Sequence, residues 1–249
     1  MKNKNTGKEK ITPVDFRDFT LKGLFCGKYR YVLLLLFWPI FGLCFYSLEV
    51  FRTDGYATVY SVVDDMIPFC ELFVIPYMFW FAYLVGMYVY SLFFDTETFK
   101  NYTYFIILTY GITLIIYLFF PTKQELRPDI DALGRSNFLT EFMKGFYDFD
   151  TKTNVCPSLH VVGSVAVSVA AWNSKLFRGT GWRIAFTVCT VLNALSTVFL
   201  KQHSIVDVPP ALAICAIAYP LVFNENFRAW WRNKRASISI GKHYRNGRK

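Results

Sequence analysis

Six blocks of apolar residues divide this chain, at about Tyr31–Leu48, Leu72–Phe94, Tyr102–Phe120, Pro157–Phe177, Trp182–Leu200 and Ile205–Phe223. Each is close to the ~20 residues that carry a helix across a bilayer. A soluble fold would place its apolar residues at amphipathic spacing, one face in and one face out. Here 54% of the 249 residues are hydrophobic and 18% are charged, and the charges fall between the blocks. The expected fold is all-α: a polytopic membrane protein built as a six-transmembrane helical bundle. Pro39 sits inside the first block, where a membrane helix tolerates it.

The net charge of +9 resides in the two tails. Residues 1–30 carry eight Lys or Arg against Glu9, Asp15 and Asp18, and residues 224–249 carry eight against Glu225. Basic flanks of apolar spans face the cytoplasm, so both tails are expected there. Their charge points to anionic lipid headgroups and not to nucleic acid. His243 falls in the second tail and reads as solvated. No cleavable leader is expected, because the first apolar run starts only near Tyr31, is long and lacks a small-residue cleavage pattern. An even number of spans then puts Glu49 to Glu71, an acidic stretch with Arg52 alone positive, on the outer face. Asp95 to Asn101 and Arg178 to Gly181 read as short inner turns.

Residues 121–156 form the longest segment outside the spans, also on the outer face. Within it Phe138, Leu139, Phe142, Met143 and Phe146 recur at helical spacing, which predicts a short interfacial helix. That helix would either cover a site or cap the bundle. Phe16, Phe19, Leu24 and Phe25 suggest a weak amphipathic helix before the first span, or a tail with anchoring aromatics. The fourth block is small-sided (Gly163, Ser164, Ala166, Ser168, Ala170, Ala171), as membrane helices buried among others are. The six cysteines show no metal-ligand spacing. Cys70 and Cys156 share the outer face, as a disulfide or as two thiols.

Two of the three histidines stand at outer ends of spans. His160 follows Cys156-Pro157-Ser158-Leu159, and His203 lies between the fifth and sixth blocks, four residues before Asp207. Ionisable groups at such places are functional candidates. The spacing of His203 and Asp207 suits one helical face. A carboxylate on one imidazole nitrogen fixes the tautomer and leaves the other as nucleophile or base. His160 supplies a second imidazole for acid–base work. Arg127, Lys123, Lys201 and Ser158 are the phosphate-binding candidates nearby. The bland alternatives are a buried polar network for His160, His203 and Asp207, a snorkelling arginine for Arg127, a helix cap for Ser158 and solvated loop charges for Lys123 and Lys201. With no second acidic cluster to hold a divalent cation, the set suggests attack on a phosphoester that needs no metal or other cofactor.

Pro157-Ser158-Leu159-His160, Ser196 with His203 and Asp207 at the following spacing, and Arg127-Pro128 together resemble the three motifs of the type 2 phosphatidic acid phosphatase superfamily, KxxxxxxRP, PSGH and SRxxxxxHxxxD. The likeness spans about residues 100–223. Leu159 replaces the family glycine, Thr197 its arginine and Phe120 its lysine. The resemblance implies His203 as nucleophile, Asp207 as its orienting partner, His160 as acid and base, and Arg127 and Ser158 on the phosphate. The implied activity is a cell-membrane lipid phosphatase working at the extracytoplasmic face through a phosphohistidine. A headgroup phosphotransferase, like the inositol phosphorylceramide and sphingomyelin synthase branches, is the alternative. A non-catalytic lipid-binding or transport protein retaining the fold is the reading from another class.

Overall fold

The computed structural model describes residues 12–224; the ends of both basic tails, with His243, lie outside them. The chain is mostly helical. Its helices are α1 (Leu21–Cys26), α2 (Phe37–Phe51), α3 (Val62–Met66), α4 (Val74–Phe94), α5 (Thr96–Phe119), α6 (Phe138–Phe149), α7 (Leu159–Asn173), α8 (Thr180–Phe199) and α9 (Val208–Phe223). Short 3-10 turns lead into α2, α4 and α9. Among the described residues, five helical stretches are long and apolar enough to cross a membrane: Arg30–Phe51, Glu71–Phe94, Thr96–Phe119, Thr180–Phe199 and Ile205–Phe223.

The fourth apolar block behaves differently. Its helix, α7, has 15 residues, or about 22 Å at 1.5 Å per residue. Ten of them are buried, Val161 to Ser164 and Ala166 to Ala171. It sits at the centre of the bundle, packed by α4, α5, α8 and α9. The small side chains explain this. Gly163 lets α4 and α5 come so close that an added Cβ would lie 2.6 Å from Tyr110 Oη and 3.0 Å from Trp80 Cζ2. Gly163→Ala is therefore expected to cost about 1–3 kcal/mol through overpacking. It should also push aside two rings that hold the start of α7. A thermal-inactivation midpoint equal to that of the parent protein would contradict this.

The sequence reading differs from the structure at several places. Helix α5 starts at Thr96 and not near Tyr102, because Asp95 caps it by accepting from Thr98 N at 3.1 Å. The same carboxylate accepts from Lys175 N at 3.1 Å, joining the α4–α5 and α7–α8 turns at one end of the bundle. The amphipathic N-terminal helix reduces to the six residues of α1. Phe16 instead stacks on Tyr29 and meets Phe93 edge-on. The fold is not wholly helical either. Ala57–Thr58 (β1) and Thr122–Lys123 (β2) form a two-residue parallel ladder at the opposite end, and Lys123 also bridges to Thr153. Loop backbone that leaves a helix must still pair its polar groups, and these loops pair with each other. Cys70 and Cys156 are both free thiols.

The short helix in the 121–156 segment forms as the spacing predicts. Asn137 caps α6, Met143 is fully buried, and Leu139, Phe142 and Phe146 pack with Val74, Tyr77 and Leu200. Phe138 and Phe149, at its two ends, are 82% and 86% exposed. The helix thus covers the bundle end that carries the histidines.

Candidate active site

Helix α8 ends at Phe199, and the chain turns through Lys201, whose φ of +54° is left-handed. Gln202 N and His203 N both donate to Thr197 O, at 2.9 and 3.1 Å, which fastens the turn to the helix it leaves. Ser204 then caps the next helical turn in a reciprocal box with Asp207. Asp207 Oδ2 accepts from Ser204 N at 3.2 Å and lies 2.9 Å from His203 Nδ1. His203 and Asp207 therefore meet as expected, although through a capping turn and not along one helical face. The carboxylate is fully buried. It holds Nδ1 as the donor and leaves Nε2 for the cavity.

His160 enters from the first turn of α7. Ser158 caps that helix, accepting from Val161 N, and its own N–H donates to Asp207 O at 3.2 Å. Three aromatic donors hold the same turn: Tyr117 Oη to Pro157 O, Tyr110 Oη to Leu159 O and Trp80 Nε1 to His160 O, at 2.5, 3.2 and 3.0 Å. The imidazole is clasped between Tyr77 and Trp80, with ring centroids 4.6 and 4.3 Å away. Its centroid stands 5.7 Å from that of His203, the planes at 68°. His160 Nε2 is buried without a hydrogen-bond partner.

Both imidazoles line a cavity of about 80 Å3, shared with Tyr77, Tyr117, Asp150 and Gln202. A water occupies about 30 Å3 of liquid, so a group of a few heavy atoms fits. Among the described residues that line it there is no lysine or arginine. The four phosphate-binding candidates are placed otherwise. Arg127 lies behind the cavity wall, where it donates to Tyr147 O, Asp150 O, Asp150 Oδ2, Thr151 O and Gln202 Oε1. Burial pulls its guanidinium below the usual range, with Asp150 opposing. Burial likewise pushes the Asp150 carboxyl up, with Arg127 opposing. Lys201 turns away, and its ammonium donates to Asp64 O and Ile67 O at 2.6 and 2.5 Å. Lys123 pairs with Glu125 at 2.6 Å on the surface. Ser158 is buried as a cap.

Two residues not singled out from the sequence matter here. Asp64, 1% exposed, accepts from Ser204 Oγ at 2.6 Å and Ile205 N at 2.8 Å, so the short helix α3 fixes the turn that carries His203. The Ser61-x-x-Asp64 capping box was the signal available for it. Asp150 both anchors Arg127 and faces the cavity, and nothing in the sequence distinguished it from its neighbour Asp148. The Cys156 thiol lies beside Asp207. Burial pushes it up to about 12, and the carboxylate adds to the shift, a setting that disfavours the thiolate. No group of three or more His, Cys, Asp or Glu among the described residues could hold a metal ion.

In comparisons with known proteins, no family model, no curated protein and no solved structure matches this chain.

Proposed function

We propose that this chain is a membrane-embedded enzyme of the type 2 phosphatidic acid phosphatase kind, which breaks a lipid phosphoester through a phosphohistidine on His203. The observation that carries the reading is the pairing of His203 Nδ1 with a buried carboxylate, beside a second, unpartnered imidazole in one cavity. His203 Nε2 attacks phosphorus and an N–P bond forms. The P–O bond to the lipid alcohol breaks, and His160, in its imidazolium form, delivers the proton to the leaving oxygen. Asp207 stabilises the charge that develops on His203. Water, losing a proton to His160, then cleaves the N–P bond and releases phosphate. Leu159 and His160 line the cavity and open α7, and their N–H groups, which precede the first helical bond, are the donors this reading assigns to the phosphoryl oxygens.

Six crossings, with α7 as the short buried one, and both tails in the cytoplasm complete the picture. With that topology the cavity would face the extracytoplasmic side of the cell membrane. The charge pattern of the tails and of Glu49 to Glu71 supports that orientation.

One observation favours the second reading, headgroup transfer. A dianionic monoester needs cations around it, yet Arg127 is spent on Asp150, Gln202 and loop carbonyls, and Asp150 faces the cavity. A phosphodiester carries one negative charge less. At ~5 Å and an effective dielectric of 20, each charge facing a carboxylate costs about 3 kcal/mol.

The test is turnover by the purified protein in detergent with EDTA present. The substrates are phosphatidic acid, phosphatidylglycerol phosphate, an isoprenyl diphosphate and phosphodiester lipids offered with a second lipid alcohol. Phosphate release from the first three supports hydrolysis. Appearance of a headgroup on the added alcohol supports transfer. A function that survives His203→Ala unchanged supports the non-catalytic class and ends the enzyme reading.

A further inference from the structure

Several side chains around the histidine cavity have already spent their donors. Tyr117 Oη donates to Pro157 O, and Thr153 Oγ1 and Asn154 Nδ2 both donate to the Glu49 carboxylate. Gln202 is different. It lines the same cavity, is 3% exposed, and its Nε2 has no hydrogen-bond partner. A buried amide donor without an acceptor costs free energy unless something occupies the space before it.

The amide is held the one way round that leaves this donor free. Arg127 Nη2 donates to Gln202 Oε1 at 2.5 Å. A guanidinium has only N–H groups to offer, so the oxygen faces it and the nitrogen is the end left over. The backbone is fixed as well. Lys201 takes its left-handed φ, and Gln202 N and His203 N both donate to Thr197 O, so Gln202 and the attacking imidazole leave one rigid turn side by side. A cation on Oε1 draws charge from the amide and strengthens its N–H as a donor. Arg127 does not line the cavity, yet its charge is felt there through Gln202.

We propose that Gln202 is a catalytic residue of this site: its Nε2 donates to a non-bridging phosphoryl oxygen, and that bond tightens as charge gathers on the oxygen in the transition state. The proposal rests on the phosphoryl-transfer reading of His203. It adds no bond made or broken to those given above. The N–P bond forms as the P–O bond breaks, the leaving oxygen takes its proton from His160, and the amide keeps both of its own. Arg127 is then a positioning residue, seating and polarising the amide from behind. A fixed donor aimed at developing charge needs no reorganisation when the charge appears. The arrangement also fits a cavity whose described lining holds no lysine or arginine.

Two replacements of nearly the same shape separate donation from packing. Gln202→Met removes the amide. Gln202→Glu keeps an oxygen for Arg127, in a charged pair, and removes the donor. Each is expected to lower kcat about 10^2–10^3-fold, the scale for one preorganised donor, with KM within about threefold. If Gln202 only seated Arg127, the glutamate variant would keep kcat within about tenfold of the parent; that result overturns the proposal, even if the methionine variant does not fold. Orthovanadate, which takes up the five-coordinate geometry of phosphoryl transfer, gives a readout without turnover. In calorimetric titrations of the full-length protein in detergent, vanadate binding should be lost in His203→Ala. It should weaken at least about tenfold in Gln202→Met, while inorganic phosphate changes less than about threefold. Vanadate that needs His203 but binds Gln202→Met as it binds the parent overturns the donor role and leaves the His203 reading standing. Vanadate binding indifferent to His203→Ala removes that reading, and this proposal with it.

Discussion

Replacing His203 with alanine is expected to lower turnover at least about 10^4-fold, the scale seen when the attacking group of a catalytic unit is removed. Asp207→Asn should lose about 10^2–10^4-fold, because an amide can present its own N–H and favour the wrong imidazole tautomer. His160→Ala separates the two halves of the reaction. With an ordinary lipid the leaving alcohol needs a proton, so the first step slows. With p-nitrophenyl phosphate, whose leaving group needs none, the first step proceeds and the second stalls. That variant should accumulate an acid-labile, base-stable phosphoprotein with its phosphate on His203, visible by 31P NMR as a phosphoramidate. Phosphate found on another residue, or turnover by His203→Ala within tenfold of the parent, would remove His203 from the role of nucleophile.

Arg127 gives the second large effect, on stability first. Its fork joins the loop before α6 to the loop after it and to Gln202, next to His203. Arg127→Leu leaves Asp150, Gln202 and three main-chain carbonyls short of donors. Arg127 is 5% exposed and Asp150 40%, so the pair is half-buried, and its loss together with the orphaned carbonyls is expected to cost about 2–3 kcal/mol, or about 8 °C in melting midpoint for a chain of this size. Arg127→Lys keeps the charge and loses the planar fork, so it should fall between. Asp150→Leu added to Arg127→Leu should restore part of the loss, since the orphaned charge is gone. A direct phosphate ligand would behave in the opposite way. Its loss would raise KM or lower kcat and leave the melting midpoint within about 2 °C.

The two arginine readings could not be separated from sequence. Arg127-Pro128 matched a motif, but four of the five acceptors around it are main-chain oxygens or an amide, and such partners leave no mark in a sequence. Lys201 is hidden for the same reason, since its ammonium is held by the carbonyls of Asp64 and Ile67. The apolar blocks were legible because a membrane demands continuity, and five of them appear as long helices close to the expected bounds. Misses at α5 and α1 came from the polar flanks, where a single capping carboxylate such as Asp95 decides how far a helix runs. His203 and Asp207 were legible because four residues bring them into reach either along a helix or through a capping turn. The clasp of Tyr77 and Trp80 on His160 was not. In a chain with 19% aromatic residues, only the packing tells a ring that holds His160 from one that fills the core.

The shortness of α7 bears on which acceptor finishes the reaction. Tyr77 and Trp80, which clasp His160, lie six and nine residues in from the start of the Glu71–Phe94 helix. That is roughly 9 Å or more along its axis. On the proposed reading a phosphohistidine at that depth stands in a cavity of about 80 Å3, with room for a few waters. One wall is shared with an apolar groove of about 650 Å3. Under the proposed function, a lipid alcohol would reach the phosphoryl group along that groove and water from the loop side, so the depth of the site sets the two acceptors on different paths.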